Sequence, residues 1–311
     1  MNTKSNHLVE YIILGVLGSL VVLTLAAPQL LRDRRPPQLL AVSVLFRDAD
    51  SSGLAVARLG MEQAADELGA ELRFLTLTTQ SNSGEQEELA LREIEGGANA
   101  LVVIPADPVA LYAALLQWQS PCPVVTMELS MDGGAGTVSP DNEAVGRSLA
   151  QTLLEDWQAG QVTLLDNSAA CPEVSARLEA ALEVLRQAGV PTRRVDALPE
   201  GADADPWAIA FEPGATRQMA EYKEAEGRDF ALYGVGSSTA ITTQLERGTI
   251  TAVAAWSDYA AGYLAVRQAV EAVQGEGQDL DPLPFSIVRG EDIYAPENQK
   301  LLFPIMSSSG R

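Results

Sequence analysis

Several carboxylates, one arginine and one tryptophan stand where a folded chain could bring them to a common site. Asp48 and Asp50 follow an apolar run at 39–46 that ends in Phe46. Asp107 follows a run at 100–104, Glu128 one at 122–127, Asn167 one at 162–165, and Glu212 one at 208–211. Trp256 and Asp258 follow a run at 251–255, and Arg177 lies in the segment after 162–165. Carboxylates and amides accept hydrogen bonds from hydroxyls, carboxylates pair with ammonium or guanidinium, and an indole face stacks on a sugar ring or a cation. The pattern therefore points to capture of a small polar ligand, polyol-like or amine-bearing. Each residue also has a plainer reading. Asp107 and Asp258 open helices and serve as caps equally well, Asp141 reads first as a cap, and Trp256 could fill a core.

What is missing narrows the chemistry. The single histidine, His7, lies in the N-terminal tail, which removes histidine triads and histidine metal clusters from the rest of the chain. Cys122 precedes one apolar run and Cys171 follows another, so in a parallel sheet they fall at opposite ends and read as unpaired. No base and nucleophile, metal cluster or phosphate loop has recognisable spacing; no catalytic residue, metal or cofactor is expected, and an enzyme ranks behind a binding protein. A formal net charge of −21 would repel phosphate backbones, so nucleic acid is not an expected partner.

The apolar runs alternate with helical patterns throughout. A near-continuous apolar stretch of strand length at 39–46 and strand-like segments at 71–78, 100–104 and 122–127 are separated by amphipathic segments at 54–68, 85–95 and 107–118. The same rhythm resumes with strands at 162–165, 192–195, 208–211, 230–235 and 251–255, and with a long helix from 258 to 273. The two blocks meet at 137–147. There Pro140 keeps Ser139 out of the helical region, Asp141 can cap, and Val145, Leu149 and Leu153 make one apolar face. This is an α/β chain built on parallel sheets, with a strand end, a corner and a capped helix at its middle.

Ser139, Asp141, Asn142 and Gly146 form a Ser-x-Asp-Asn-x-x-x-Gly pattern that resembles the type I periplasmic binding proteins, relatives of the ribose- and galactose-binding proteins and of lac-repressor-type regulators. The likeness extends over roughly 39–304. Residues 61–69 resemble the family's first helix, 96–105 its Gly-rich strand ending in Pro105, and 122–125 its Pro-Val-Val strand; 248–252 and 262–266 resemble two later segments. The resemblance implies two Rossmann-like lobes joined by a three-crossing hinge, at about 137–138, 256–257 and 284–285. The N-terminal lobe would hold 38–137 plus 257–284, and the C-terminal lobe 138–256 plus 285–311. It also implies a ligand in the interlobe cleft. The family's sugar binders carry an aromatic pair after the first strand, an Asp-Arg after the fourth and an Asn-Asp after a later one. Here those positions read Gly53-Leu54, Glu128-Leu129 and Glu212-Pro213, while Arg177 lies near the family's arginine. These departures count against a simple pentose or hexose.

Residues 1–37 form a tail, a membrane helix at about 11–31 and a linker, because the uncharged apolar run is long enough to span a bilayer. A retained signal anchor is favoured over a cleaved leader. Arg32, Arg34 and Arg35 would hold their end in the cytoplasm, yet large domains translocate regardless of local charge, and the resemblance places the domain outside. The expectation is a single-pass cell-membrane protein with an extracytoplasmic solute-binding domain that serves an ABC permease or a sensor kinase. The alternative is a degenerate relative without a ligand, acting as a regulatory or structural partner of a membrane complex.

Overall fold

Strand β1 (Leu40–Leu45) sends Val42, Val44 and the following Phe46 to one face and Leu45 to the other, the pleat of a strand covered on both sides. In this computed structural model, described residues are Leu17 and 39–47, 54–79, 81–117, 122–166, 171–197, 205–278 and 280–303. Residues 40–311 form one unit and 1–39 another. Among the described residues no helix is long and apolar enough to cross a membrane. The expected membrane helix at 11–31 lies, Leu17 apart, outside them.

After β1 come α1 (Ala55–Leu68), β2 (Ala70–Leu75), α2 (Ser83–Glu95), β3 (Ala100–Val103), α3 (Pro108–Leu116), β4 (Val124–Met127) and β5 (Gly136–Val138). Their strands make a parallel sheet in the order β2-β1-β3-β4-β5. The chain continues through α4 (Asn142–Asp156), β6 (Val162–Leu165), α5 (Pro172–Gln187), β7 (Thr192–Val195), β8 (Trp207–Ala210), α6 (Pro213–Ala225), β9 (Ala231–Val235), α7 (Thr239–Glu246) and β10 (Ala252–Trp256). It ends with α8 (Asp258–Gln274), β11 (Phe285–Arg289) and α9 (Pro296–Leu302). The second sheet runs β11-β10-β9-β8-β6-β7, parallel except where β11 lies antiparallel to β10.

The alternation read from the sequence is thus present as two parallel-sheet lobes. Strand β2 ends at Leu75, short of the expected 78, and the three-residue β5 and antiparallel β11 are additional. Neither carries an apolar run long enough to announce itself, since β11 is only half-buried along most of its length.

Helix α8 follows β10 of the second sheet but packs on the first, against α1 and β1, β3, β4 and β5. Where α1 and α8 cross, a Cβ on Gly60 would lie 2.0 Å from the Tyr259 carbonyl oxygen, and one on Gly262 would lie 2.0 Å from that of Ala57. Only glycine permits that approach. One core cluster runs through α1, α8, α4 and α5 and the sheet faces beneath them, while α2 with α3, and α6 with α7, cover the other faces. Two of the segments joining the lobes lie side by side: the Leu283 amide donates to the Ser139 carbonyl at 2.9 Å, and Pro140 bridges Leu283.

Candidate functional site

The carboxyl ends of β1, β4, β8, β9 and β10 carry the polar side chains that come between the lobes, the usual ligand side of parallel sheets. From the first lobe, Arg47 after β1 donates to Glu128 after β4 at 2.8 Å. Glu128 holds this place with a φ of 65°, left-handed backbone that costs a non-glycine residue free energy. From the second lobe comes Arg177 on α5, 4% exposed. Its Nε donates to Asn142 Oδ1 at 2.7 Å, one terminal nitrogen donates to the Phe211 carbonyl at 2.8 Å, and the guanidinium carbon lies 5.4 Å from the Trp256 ring centroid. Burial draws the Arg177 pKa below the ordinary guanidinium range, opposed by the charges of Glu128, Glu173 and Glu212 nearby.

The corner motif explains why Arg177 stands where it does. Asp141 caps α4 by accepting from the Ala144 amide at 2.9 Å, which sets the helix start. Asn142, the next residue, takes the Arg177 Nε hydrogen. One turn on, Gly146 lets α4 press against the Arg177 backbone: a Cβ there would lie 2.0 Å from the Arg177 carbonyl oxygen.

Among the described residues, two residue pairs join the lobes through side-chain hydrogen bonds. The backbone amide and hydroxyl of Ser130, after β4, both donate to Oε1 of Glu173 on the first turn of α5, the hydroxyl at 2.8 Å. Ser237, after β9, donates its hydroxyl to Asp258 Oδ2 at 2.7 Å at the start of α8. Burial pushes Asp258 up to about 6; the Ser237 hydrogen bond works against this and the Glu128 charge adds to it.

The expected site residues divide accordingly. Glu128, Arg177, Glu212, Trp256 and Asp258 come together; Asp48, Asp50 and Asn167 lie outside the described residues. Phe46 is 1% exposed and stacks on Phe74 at 6.0 Å between centroids, because the pleat of β1 turns it toward α1 and α8. Asp107 caps α3, accepting from Val109 and Ala110. The cap of α8 is Ser257, which accepts from the Ala260 amide, and this leaves the Asp258 carboxylate for Ser237. Trp256 is 8% exposed, with the Arg177 guanidinium beside its ring. Sequence reasoning passed over Ser130 and Glu173, whereas Arg47 and Ser237 lie in the loops that directly follow the apolar runs at 39–46 and 230–235, where ligand contacts are expected, without being singled out there. Glu173 follows Pro172 in a helical first turn, where an acid reads as dipole compensation, so no local signal marks it.

Both cysteines are free thiols. Burial pushes Cys122 up to about 11 and raises Cys171 as well, so neither is poised as a nucleophile. Among the described residues no group of histidine, cysteine or carboxylate side chains could hold a metal ion. A surface groove of about 620 Å³ between α2 and α3 has Glu87 as its one titratable group and lies on helix flanks rather than at strand ends.

The family described as "periplasmic binding protein domain" matches residues 42–277. A carbohydrate transporter solute-binding protein from Agrobacterium radiobacter, solved in complex with D-arabinose, is similar with a TM-score of 0.73 at 15% identity, covering 86% of this chain and 99% of that one. An ABC transporter solute-binding protein from Agrobacterium vitis, bound with alpha-D-tagatopyranose, gives 0.74 at 14% identity over 84% and 98% of the two chains. A chain of the XylFII-LytSN complex gives 0.68 at 14% identity over 82% and 100%. At these identities the likeness shows the fold. No curated protein matches the sequence.

Proposed function

This chain belongs to the periplasmic binding protein domain family, a family of solute-binding proteins rather than enzymes, and we propose that its interlobe cleft captures a small polar solute, sugar-like or polyol-like. The observation that carries this reading is the meeting of Arg47, Glu128, Glu173, Arg177 and Asp258, from both lobes, at the carboxyl ends of the strands. Such groups supply acceptors and donors for hydroxyls, and the Ser130–Glu173 and Ser237–Asp258 bonds give closure around a ligand an interlobe latch.

The role extends to the membrane. Residues 11–31 anchor the chain, the acidic domain lies outside, and the captured solute is passed to an ABC importer or presented to a membrane sensor. The sugar complexes of two structural neighbours and the XylFII-LytSN complex support both versions without choosing between them. A second reading, a ligand-free partner of a membrane complex, draws on Arg177, whose side chain already has Asn142, the Phe211 carbonyl and Trp256 as neighbours.

Thermal melting of the full chain against a panel of sugars, polyols and nucleosides separates the two readings. A raised midpoint with one compound, accompanied by altered tryptophan fluorescence that is lost in Trp256→Ala, is expected; an unmoved midpoint across the panel would leave the second reading standing. Protease added to intact cells should digest the domain, and protection until lysis would reverse the orientation.

A further inference from the structure

The inference rests on the cleft reading above and narrows its ligand. Glu173 sits on α5 of the second lobe, yet its Oε1 is held by Ser130 of the first, so its carboxylate lies between the lobes. The side chain is 7% exposed, and its other oxygen, Oε2, is buried without a hydrogen-bond partner. A buried acceptor left in that state costs free energy that a donor would recover.

The donors at hand are engaged elsewhere. Among the described residues, Arg177 donates to Asn142 and to the Phe211 carbonyl, and Arg47 pairs with Glu128. Charge points the same way. Among the described residues Glu128, Glu173 and Asp258 outnumber the guanidinium groups of Arg47 and Arg177 by one at this place. The elevated Asp258 titration reflects burial first and the neighbouring Glu128 charge in addition. A hydroxyl could donate to Oε2 but would leave the excess negative charge uncompensated; a ligand carboxylate or phosphate would add to it. A protonated amine does both jobs.

We infer that the ligand of this cleft is a hydroxylated ring bearing a protonated amine, an aminosugar or amino-cyclitol, whose ammonium donates to Glu173 Oε2. Glu173 thereby becomes the residue that separates amine-bearing from neutral polyols.

The test is calorimetry on the full chain in detergent, at a pH where the amines are protonated. D-glucosamine is compared with D-glucose, D-galactosamine with D-galactose and scyllo-inosamine with scyllo-inositol, and N-acetyl-D-glucosamine serves as the uncharged amide. At least one amine should bind about tenfold or more tightly than its hydroxyl twin and its acetylated form. Glu173→Gln should erase that preference, whereas Ser130→Ala, which removes the latch hydroxyl but keeps the carboxylate, should retain it. If a neutral twin binds as well as the amine, or if Glu173→Gln keeps the preference, the amine inference fails and the cleft reading survives. If no compound binds, charged or neutral, the cleft reading falls and takes the inference with it.

Discussion

The two lobes solve the same packing problem with chain segments of very different origin. In the second lobe the helix pair on the inner sheet face is α4 and α5, near neighbours in sequence, and Gly146 meets the backbone of Arg177. In the first lobe the corresponding pair is α1 and α8, and Gly60 and Gly262 each face the other helix's backbone. The first lobe cannot complete this layer until the chain has passed through the second and returned at Ser257. Its stability therefore depends on contacts of long sequence separation, which are costly to close. The difference also assigns the crossings different work. In the first lobe the crossing only packs; in the second it holds the buried arginine of the cleft.

Alanine at the crossing glycines should have the largest effect. Gly60→Ala, Gly262→Ala and Gly146→Ala each place a methyl group 2.0 Å from a carbonyl oxygen, and each should cost about 3 kcal/mol, read from denaturant melts. Only Gly146→Ala should also weaken solute binding in the fraction that stays folded, because it displaces Arg177. Equal loss of binding in folded Gly60→Ala would break the distinction between the crossings.

The two arginines sharpen it further. Arg177→Met strands the Phe211 carbonyl and leaves the nearby acids without their buried cation, and should cost on the order of 2 to 3 kcal/mol. Arg47→Met breaks a pair whose members are 22% and 31% exposed, and should cost about 1 kcal/mol or less. Comparable losses from the two would mean that the lobes share the electrostatic weight of the cleft equally.

Between these lies a pH effect at the join. Asp258 rises from 3.8 to about 6 in the folded chain, so the folded state binds more proton there than the unfolded state does between those values. Its contribution to stability is present below about 4 and is lost as pH rises through about 6, a change on the order of 2 kcal/mol. The groups known to face it are the Ser237 hydroxyl and Glu128. Asp258→Asn should flatten the slope of melting temperature over that range, and a slope unchanged in the variant would locate the titration elsewhere.

Much of this architecture was written in local pattern. The apolar runs of β1, β3, β6, β8 and β10 are each short, nearly continuous and bounded by helical segments, and a buried parallel strand has no other way to look. The corner at Ser139-Pro140-Asp141 was equally legible, since a proline and a capping carboxylate act on their immediate neighbours. Glu128, Glu212 and Trp256 could be placed at strand ends for the same reason. What they face there was not legible. Phe46 turned into the core because the pleat of β1 fixes its side, and Asp258 yielded the capping role to Ser257 because one residue of offset decides which side chain reaches the amides.

The sequence by itself determined most of the strands and helices and the capped corner, because each follows from residues within a turn or two of one another. Only the tertiary structure decided that Asn142 and Gly146 exist to hold Arg177, that Arg47 pairs with Glu128, and that Glu173 reaches Ser130 in the other lobe with one oxygen left over. Those partners are separated by 31 to 81 positions, and neither residue of a pair carries a local mark of the other. A hydrogen bond depends on a few tenths of an ångström and on direction, and both are fixed by how sheets, helices and lobes close on one another rather than by the order of residues along the chain.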